Sequence, residues 1–493
     1  MAGALSAVVC TGPAAPPPGR EPVTLTIGVP QSRQIDPSHG VQAVAEMLAF
    51  ERLTTNDADG RAQPRLLESW AVSGDGLTWR LSVRPGVKFP DGSLMTSADV
   101  THAFQTAIAT PAIRSISVCL PRVVSVAAQG DREVSITLSR RCSYLLDDLD
   151  RAVMRTGADG RTRVGTGAFS ITPSSAEAIV LQANPHYYLG PPAIDRVVVR
   201  PFDTLRTAWA EMLRDRVDFL WEVGPDTAGF LSDQRAVEVR SFPGYYAYSV
   251  MLNSARPMFK DPAVRRALNL AVDRAALVRQ GLKGRGVPAD GPVWPRYWAR
   301  ERSAPVLPFD PAKALALLRD ARAAGIAFTC LVPANFAILE RMALLVQQQF
   351  ADLGVRMRLE SLPPDAFNRR IVSGEFDAVL LSMLGGPSAT VFHRFWHSPE
   401  DGAARWNFWG YRNAAVDAAL DGVLLAGDDA QFGAAIRRFE SAARDDPPAV
   451  FLAWNETVQA ISRRFSVPEG NDGRDAIYVL SRWTPRRPVE RAP

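Results

Sequence analysis

The sequence predicts a mixed α/β protein of more than one domain. Alternating stretches such as VTLTIGV (23–29) and LTWRLSV (77–83) have the period of half-buried strands, and they interleave with apolar stripes at three- and four-residue steps. Turn signals of the Asp–Gly type separate these segments at 59–60, 75–76, 91–92, 159–160, 290–291, 401–402, 421–422 and 472–473. At 493 residues and 47% hydrophobic content, the chain exceeds what one core holds; domains usually run to about 100–200 residues. Nothing after residue 20 offers about 18 uncharged apolar residues in a row, which argues against a transmembrane span.

MAGALSAVVC (1–10) is apolar and short and lacks the positive start of a secretory signal. TGPAAPPPGRE (11–21) has the composition of a linker. A lipoprotein leader starting upstream of Met1, with Cys10 as the lipidated residue, accounts for both pieces. A frayed terminus accounts for them equally well, and Val9 departs from the small residue such leaders prefer.

The strand at 77–83 turns at Pro85–Gly86 into VKF. Thr96 followed by Asp99 then forms a capping box ahead of Val100, Phe104 and Ile108. VVSVAA (123–128) and EVSITL (133–138) read as a hairpin turning at Gly130–Asp131. Facing positions in that hairpin have numbers adding to about 261, and Cys119 with Cys142 does the same. A disulfide and a pair of neighbouring buried thiols both fit.

MFKDPAVRRALNLAVDR (258–274) opens with Asp261 as a cap and Pro262 at the first helical position. Val264, Ala267, Leu268, Ala271, Val272 and Leu277 make an apolar stripe, with Arg265, Arg266, Asn269, Asp273 and Arg274 opposite. That pattern predicts an amphipathic helix with a solvated face rather than a phosphate reader. Helices are also expected at 311–321, 338–353 and 414–425, and there is no internal repeat.

Lys+Arg 56 against Asp+Glu 52 leaves a net charge of +4 with no long basic block, so no nucleic-acid partner is expected. Catalytic signatures are absent: no GxSxG elbow, HExxH, phosphate loop or GxGxxG, and Cys10, Cys119, Cys142 and Cys330 form no CxxC pair. NDADGRAQPRLLE (56–68) hints at a calcium loop, yet Leu66 stands where the closing glutamate is needed. His393 and His397 in ATVFHRFWHS would share one helix face, but no third ligand is identifiable nearby in sequence. Two polar residues on a partly exposed helix is the better reading. Neither a cofactor nor a metal site is expected, and no enzyme activity.

A string of ordered blocks resembles one family, the extracellular solute-binding proteins of family 5 (the peptide/nickel class serving ABC importers). They are LLESWAVSGDGLTWRLSVRPGVKFPDGSLMTSADVTHAF (66–104), GTGAFSI (165–171), ANPHYYLGPPAIDRVVVRPF (183–202), MLNSARPMFKDPAVRRALNLAVDRAALV (251–278), DPAKALALLRDA (310–321), GEFDAVLL (374–381) and NFWGYRNAAVDAAL (407–420). The resemblance runs from about 23 to 482.

The resemblance implies an α/β, periplasmic-binding-protein-like class II (cluster C) fold: two lobes closing on a cleft, with an extra inserted domain. After a leader remnant or linker at 1–20, domain I is expected from 21–53, 164–246 and 463–493, inserted domain II from 54–163 and domain III from 247–462. Strands near Phe242–Asn253 and Ile461–Pro468 would be hinges. The implied role is capture of a peptide-like or other small solute and delivery to a membrane ABC permease and its ATPase. The protein would be a monomer on the periplasmic or extracellular face of the cytoplasmic membrane, touching the membrane only through a possible lipid anchor. The alternative is a ligand-sensing regulatory domain not coupled to transport. An oxidising compartment also favours the Cys119–Cys142 disulfide.

Residue by residue, the resemblance places His39, Gly40 and Val41 in a ligand-contacting loop, and Tyr245, Tyr246 and Tyr248 on a cleft-facing hinge segment. In peptide-binding relatives the strand after a Phe–Asp pair carries a tryptophan and then an acid that pairs with the ligand's terminal ammonium. Here FDAVLLSMLGGPSATVF (376–392) puts Met383 at the tryptophan and Gly386 at the acid, with Leu384 and Gly385 between and a compact turn at Gly385–Gly386–Pro387. The strand's anchor is missing; Asp365 or Glu375 could replace it from elsewhere.

Overall fold

The computed structural model describes residues 21–30, 40–148, 152–157, 160, 163–172, 177–301, 307–386, 388–398, 406–468 and 475–486. The leader, Cys10, His39 and Pro387 therefore lie outside the described residues.

The chain opens with strand β1 (Thr24–Pro30) and helix α1 (Val41–Ala49). It then builds a separate antiparallel sheet from β2 (Leu67–Val72) and β3 (Thr78–Val83), helix α2 (Ser97–Ala109), and β4 (Val123–Gln129) and β5 (Glu133–Leu138), in the order β2-β3-β5-β4. The capping box of α2 forms: the Thr96 N–H donates to the Asp99 carboxylate at 2.8 Å.

The β4–β5 hairpin explains the cysteines. Near its turn Val126 faces Ile136 and Ala127 faces Ser135, one position off the expected pairing. A bulge between Val123 and Ser125 absorbs the extra residue, so that Val123 faces Leu138. Beyond the open end Cys119 and Cys142 are bonded, with Cα atoms 5.8 Å apart.

The main sheet takes β6 (Phe169–Ile171), β7 (Ile179–Ala183), β8 (Arg196–Phe202), β9 (Phe219–Val223) and the long strand β10 (Val237–Leu252). Helix α3 (Pro262–Leu270) follows, then β11 (Ala327–Pro333), β12 (Arg356–Leu362), helix α4 (Pro364–Val372) and β13 (Ala378–Leu384). Helices α5 (Ala389–Trp396) and α6 (Ala414–Leu424) lead to the last long strand, β14 (Ala449–Ser462). The order is β6-β7-β8-β1-β9-β14-β10-β13-β11-β12. The helices expected at 311–321 and 338–353 appear as Pro311–Asp320 and Ala337–Ala351.

Strand direction sets the architecture. β1 runs parallel to β8 and β9, while β11 runs parallel to β12 and β13. Both groups are antiparallel to their neighbours in the β10–β14 pair, from opposite sides. Two parallel half-sheets therefore point their carboxyl ends at each other across the middle of β10 and β14. β14 begins as an unbroken apolar run, AVFLAW (449–454), because both faces are covered: Phe451 and Trp454 enter one core and Val450, Leu452 and Ala453 the other.

Helix α3 corrects the sequence reading. Asp261 caps it as expected, its carboxylate accepting the Ala263 N–H at 2.8 Å. The polar side is not solvated, however: Arg265, Asn269 and Arg274 are buried. Arg265 pairs with Asp446 and donates to the Pro447 carbonyl at 3.0 Å. Asn269 donates to the Ala449 carbonyl at 2.8 Å. Arg274 donates to the carbonyls of Ala289 and Phe451 at 2.7 and 2.9 Å, and to the Asn269 side chain at 3.0 Å. Burial pulls the Arg274 pKa down to about 10, still charged at neutral pH. These arginines bind the start of β14, so no phosphate is needed to explain them.

Thiol titration of the denatured, unreduced protein should find Cys330, with or without Cys10, and find Cys119 and Cys142 only after reduction. A loop of 23 residues implies that reduction lowers stability by about 3 kcal/mol, read from the denaturant midpoint. All four cysteines reacting without reductant would refute the bridge.

Candidate ligand-binding cleft

The two half-sheets meet where the β10–β14 ladder breaks. Pro243 faces Glu456 and Ala247 faces Trp454, so residues 244–246 stand against Asn455 alone. Asn455 fills the gap: its Oδ1 accepts the Tyr246 N–H at 3.0 Å. A Cβ on Gly244 would lie 2.1 Å from that same oxygen, so glycine is required there. Trp294 donates from Nε1 to the Gly244 carbonyl at 3.0 Å and meets Tyr245 edge-on, with ring centroids 5.1 Å apart.

The turn after β13 closes onto the same spot. Gly385 donates its N–H to the Tyr245 carbonyl at 2.7 Å. A Cβ on Gly385 would come within 2.3 Å of the Trp454 ring, and one on Gly386 within 2.7 Å of Trp294. Two glycines thus make room for two tryptophans, which fixes the turn after β13 against β14 by shape.

The residues singled out from sequence divide. Tyr245, Tyr246, Leu384, Gly385 and Gly386 come together at the break, with Tyr246 opposite Leu384. Met383 is buried opposite Ala247, and Tyr248 is buried with Val250 and Leu252 in the core on the other face of the sheet. Gly40 precedes α1 and its carbonyl accepts the Val44 N–H at 3.1 Å; Val41 packs half-buried against the core beside β1. Trp294, Trp454 and Asn455 were missed. Only the density of tryptophan in GPVWPRYW (291–298) and AWN (453–455) signals them, and it does not say that they face glycines.

Acidic groups near the turn have defined employment. Asp147, from the segment between β5 and β6, caps α5: it accepts from Ser388 Oγ at 2.7 Å and from the Thr390 N–H and Oγ1 at 3.0 Å each. Asp365 is exposed in the first turn of α4, just after the carboxyl end of β12. Glu375 precedes β13 at the opposite end of that strand, about 30 Å from Gly385 at strand spacing, and is no substitute anchor.

A separate pocket of about 100 Å³ lies at the end of α1, lined by Phe50, Glu51, Arg65, Tyr187 and Tyr478 among others. Glu51 there accepts from Arg65 Nε at 2.8 Å, Tyr187 at 2.9 Å, and Tyr188 and Thr166 at 3.3 Å each. Burial pushes its carboxyl above the usual range, against the pull of Arg65. With its oxygens so engaged, Glu51 ties this corner together rather than receiving a ligand.

His393 and His397 also depart from expectation. They are 4% and 6% exposed rather than on an open face, and Asp421 of α6 lies beside them.

The profile of bacterial extracellular solute-binding proteins, family 5 Middle, matches residues 61–403. Over 447 residues, 86% of either chain, the sequence is 26% identical to the glutathione-binding protein GsiB of Salmonella typhimurium. In structure the chain is similar to the ABC transporter substrate-binding protein CtaP of Listeria monocytogenes, with a TM-score of 0.82 and 19% identity, covering 94% of this chain and 100% of that one. It is likewise similar to the oligopeptide-binding protein AppA of Bacillus subtilis in complex with a nonapeptide (TM-score 0.75, 21% identity, 95% and 100% covered).

Gly385→Ala should lower stability by about 1–3 kcal/mol, because the tryptophan ring cannot retreat without opening the core. Gly74→Ala, with nothing near its Cβ, is the control and should leave the melting temperature unchanged. Equal melting temperatures for the two variants would show that the ring yields freely.

Proposed function

The chain belongs to the bacterial extracellular solute-binding proteins of family 5, and we propose that it captures a peptide-like or aromatic-rich small solute outside the cytoplasm for an ABC permease. The observation that carries this reading is the opposition of two carboxyl-end faces at the break in the β10–β14 ladder, since α/β sheets bind ligands beyond the carboxyl ends of their strands. We assign lobe I to 21–53, 164–246 and 463–493, the inserted domain to 54–163 and the far lobe to 247–462, although the second half of β14, residues 456–462, pairs with β9 and the first half of β10 and so sits with lobe I. Closure would bend β10 and β14 at residues 243–247 and 454–456. The role is binding without a chemical step.

The missing strand-borne acid sets the ligand's charge. A buried, unpaired ammonium carries an effective penalty of several kcal/mol, and about 1.4 kcal/mol is tenfold in affinity. Asp147 is engaged in capping α5, so we propose that neutral or N-blocked ligands are preferred, stacking on Tyr245 and Tyr246. Glutathione, named for the Salmonella relative, supports a short peptide scale while carrying a free ammonium.

Titration calorimetry with glutathione, di- to pentapeptides and their N-acetylated counterparts tests this. The acetylated forms should bind at least tenfold more tightly. Micromolar binding of a free peptide, lost on acetylation and weakened by Asp365→Asn or Asp147→Asn, would overturn the charge preference and identify the anchoring acid.

A further inference from the structure

Beyond the cleft, α5 and α6 meet where the segment after β5 docks. Ser143 Oγ donates to the Val423 carbonyl at 2.6 Å and Tyr144 to the Leu420 carbonyl at 3.2 Å, which fixes α6 against that segment. His393 and His397 lie four residues apart, so their imidazoles project from one side. Their rings stack with centroids 4.4 Å apart and planes 26° from parallel. Asp421 brings its carboxylate to 3.6 Å from His397 Nε2. One ligand atom from each of the three residues lies within 4.8 Å of the others. We propose that His393, His397 and Asp421 form a site for a divalent transition metal ion, with zinc the best match.

The donor set selects the class of ion. Two imidazole nitrogens and one carboxylate oxygen suit zinc and its first-row neighbours, whereas magnesium and calcium take oxygen ligands throughout. Zinc also imposes no geometric preference of its own and accepts water as a fourth ligand.

Orientation is the second argument. His397 Nδ1 lies 2.9 Å from the Ser398 carbonyl, an acceptor only, so this nitrogen carries a proton and leaves Nε2, which faces Asp421, as the nitrogen a metal can take. A backbone carbonyl holding one imidazole nitrogen while the other faces outward is the arrangement that sets the tautomer of metal-bound histidines. A cation bound between Nε2 and the carboxylate would take one bond from each. Asp417 does not compete: it accepts the Ser398 N–H at 2.7 Å, which holds that carbonyl in place.

The third argument is access and fit. The histidines are buried, but Asp421 is 53% exposed on its side chain, so an ion enters from solvent over the carboxylate and ends on the imidazoles. Tetrahedral zinc with bonds of about 2.0–2.1 Å needs ligand atoms about 3.4 Å apart, so the exposed Asp421 carboxylate has to swing inward and one of the two stacked imidazoles has to turn out of the stack to aim its nitrogen at the same ion. His393 also packs edge-on to Tyr144, with centroids 5.8 Å apart. An ion here would lock α5 to α6 beside the docked segment, as a clamp separate from solute capture.

The test uses untagged full-length protein stripped with chelator and titrated with zinc chloride in a calorimeter. One zinc ion per chain should bind at micromolar or tighter affinity and raise the melting temperature. Asp421→Asn, at an exposed position that folding does not require, should weaken binding at least tenfold and remove the thermal shift; His397→Gln should do the same. Absence of saturable zinc binding, or binding that Asp421→Asn leaves unchanged, would overturn the site.

Discussion

The antiparallel ladder between β10 and β14 is the one element both lobes share, and each half-sheet is built outward from it. β9 and β1 extend from one half of β14, and β13 and β11 from the far half of β10. Helices α1, α3 and α4 then cover faces of that sheet. Because β14 feeds alternate side chains into two cores, a fault in its register would turn both inside out at once. The ladder breaks at residues 243–247, and there an asparagine side chain and a tryptophan Nε1 replace the missing backbone partners.

Polar groups do as much of the joining as apolar ones. Arg265, Asn269 and Arg274 hold the start of β14 to α3 through the carbonyls of Pro447, Ala449 and Phe451, and each guanidinium donates to several acceptors. The far lobe therefore rests on buried cations that would be costly anywhere their partners were absent.

Local order was legible in the sequence. The Thr96–Asp99 box, the Asp261–Pro262 start and the β4–β5 hairpin each depend on residues a few positions apart; the first two formed as read, and the hairpin formed with its register near the turn one position off. Cys119 and Cys142 were approachable by register arithmetic because a one-residue bulge happens to correct the count. The family-level architecture came from ordered blocks spread over the chain, not from periodicity. What was not legible is long-range: periodicity reports that one face of α3 is polar but not that β14 covers it. Gly385 and Gly386 read as an empty anchor site because nothing adjacent announces the rings of Trp454 and Trp294. His393 and His397 lacked a third partner for the same reason, since Asp421 belongs to the next helix.

Cys330 has a consequence for how the chain acquires its covalent pattern. It sits on β11 between β12 and β13, wholly buried, and burial pushes its thiol up to about 12. Thiolate is the attacking species in disulfide exchange, so in the folded protein at neutral pH this sulfur is both protonated and out of reach. Before β11 is inserted, the same sulfur is an ordinary competitor for Cys119 or Cys142. The pairing partners lie 23 residues apart across a local hairpin, whereas Cys330 is on a distant strand, and its insertion removes the rival thiol from exchange.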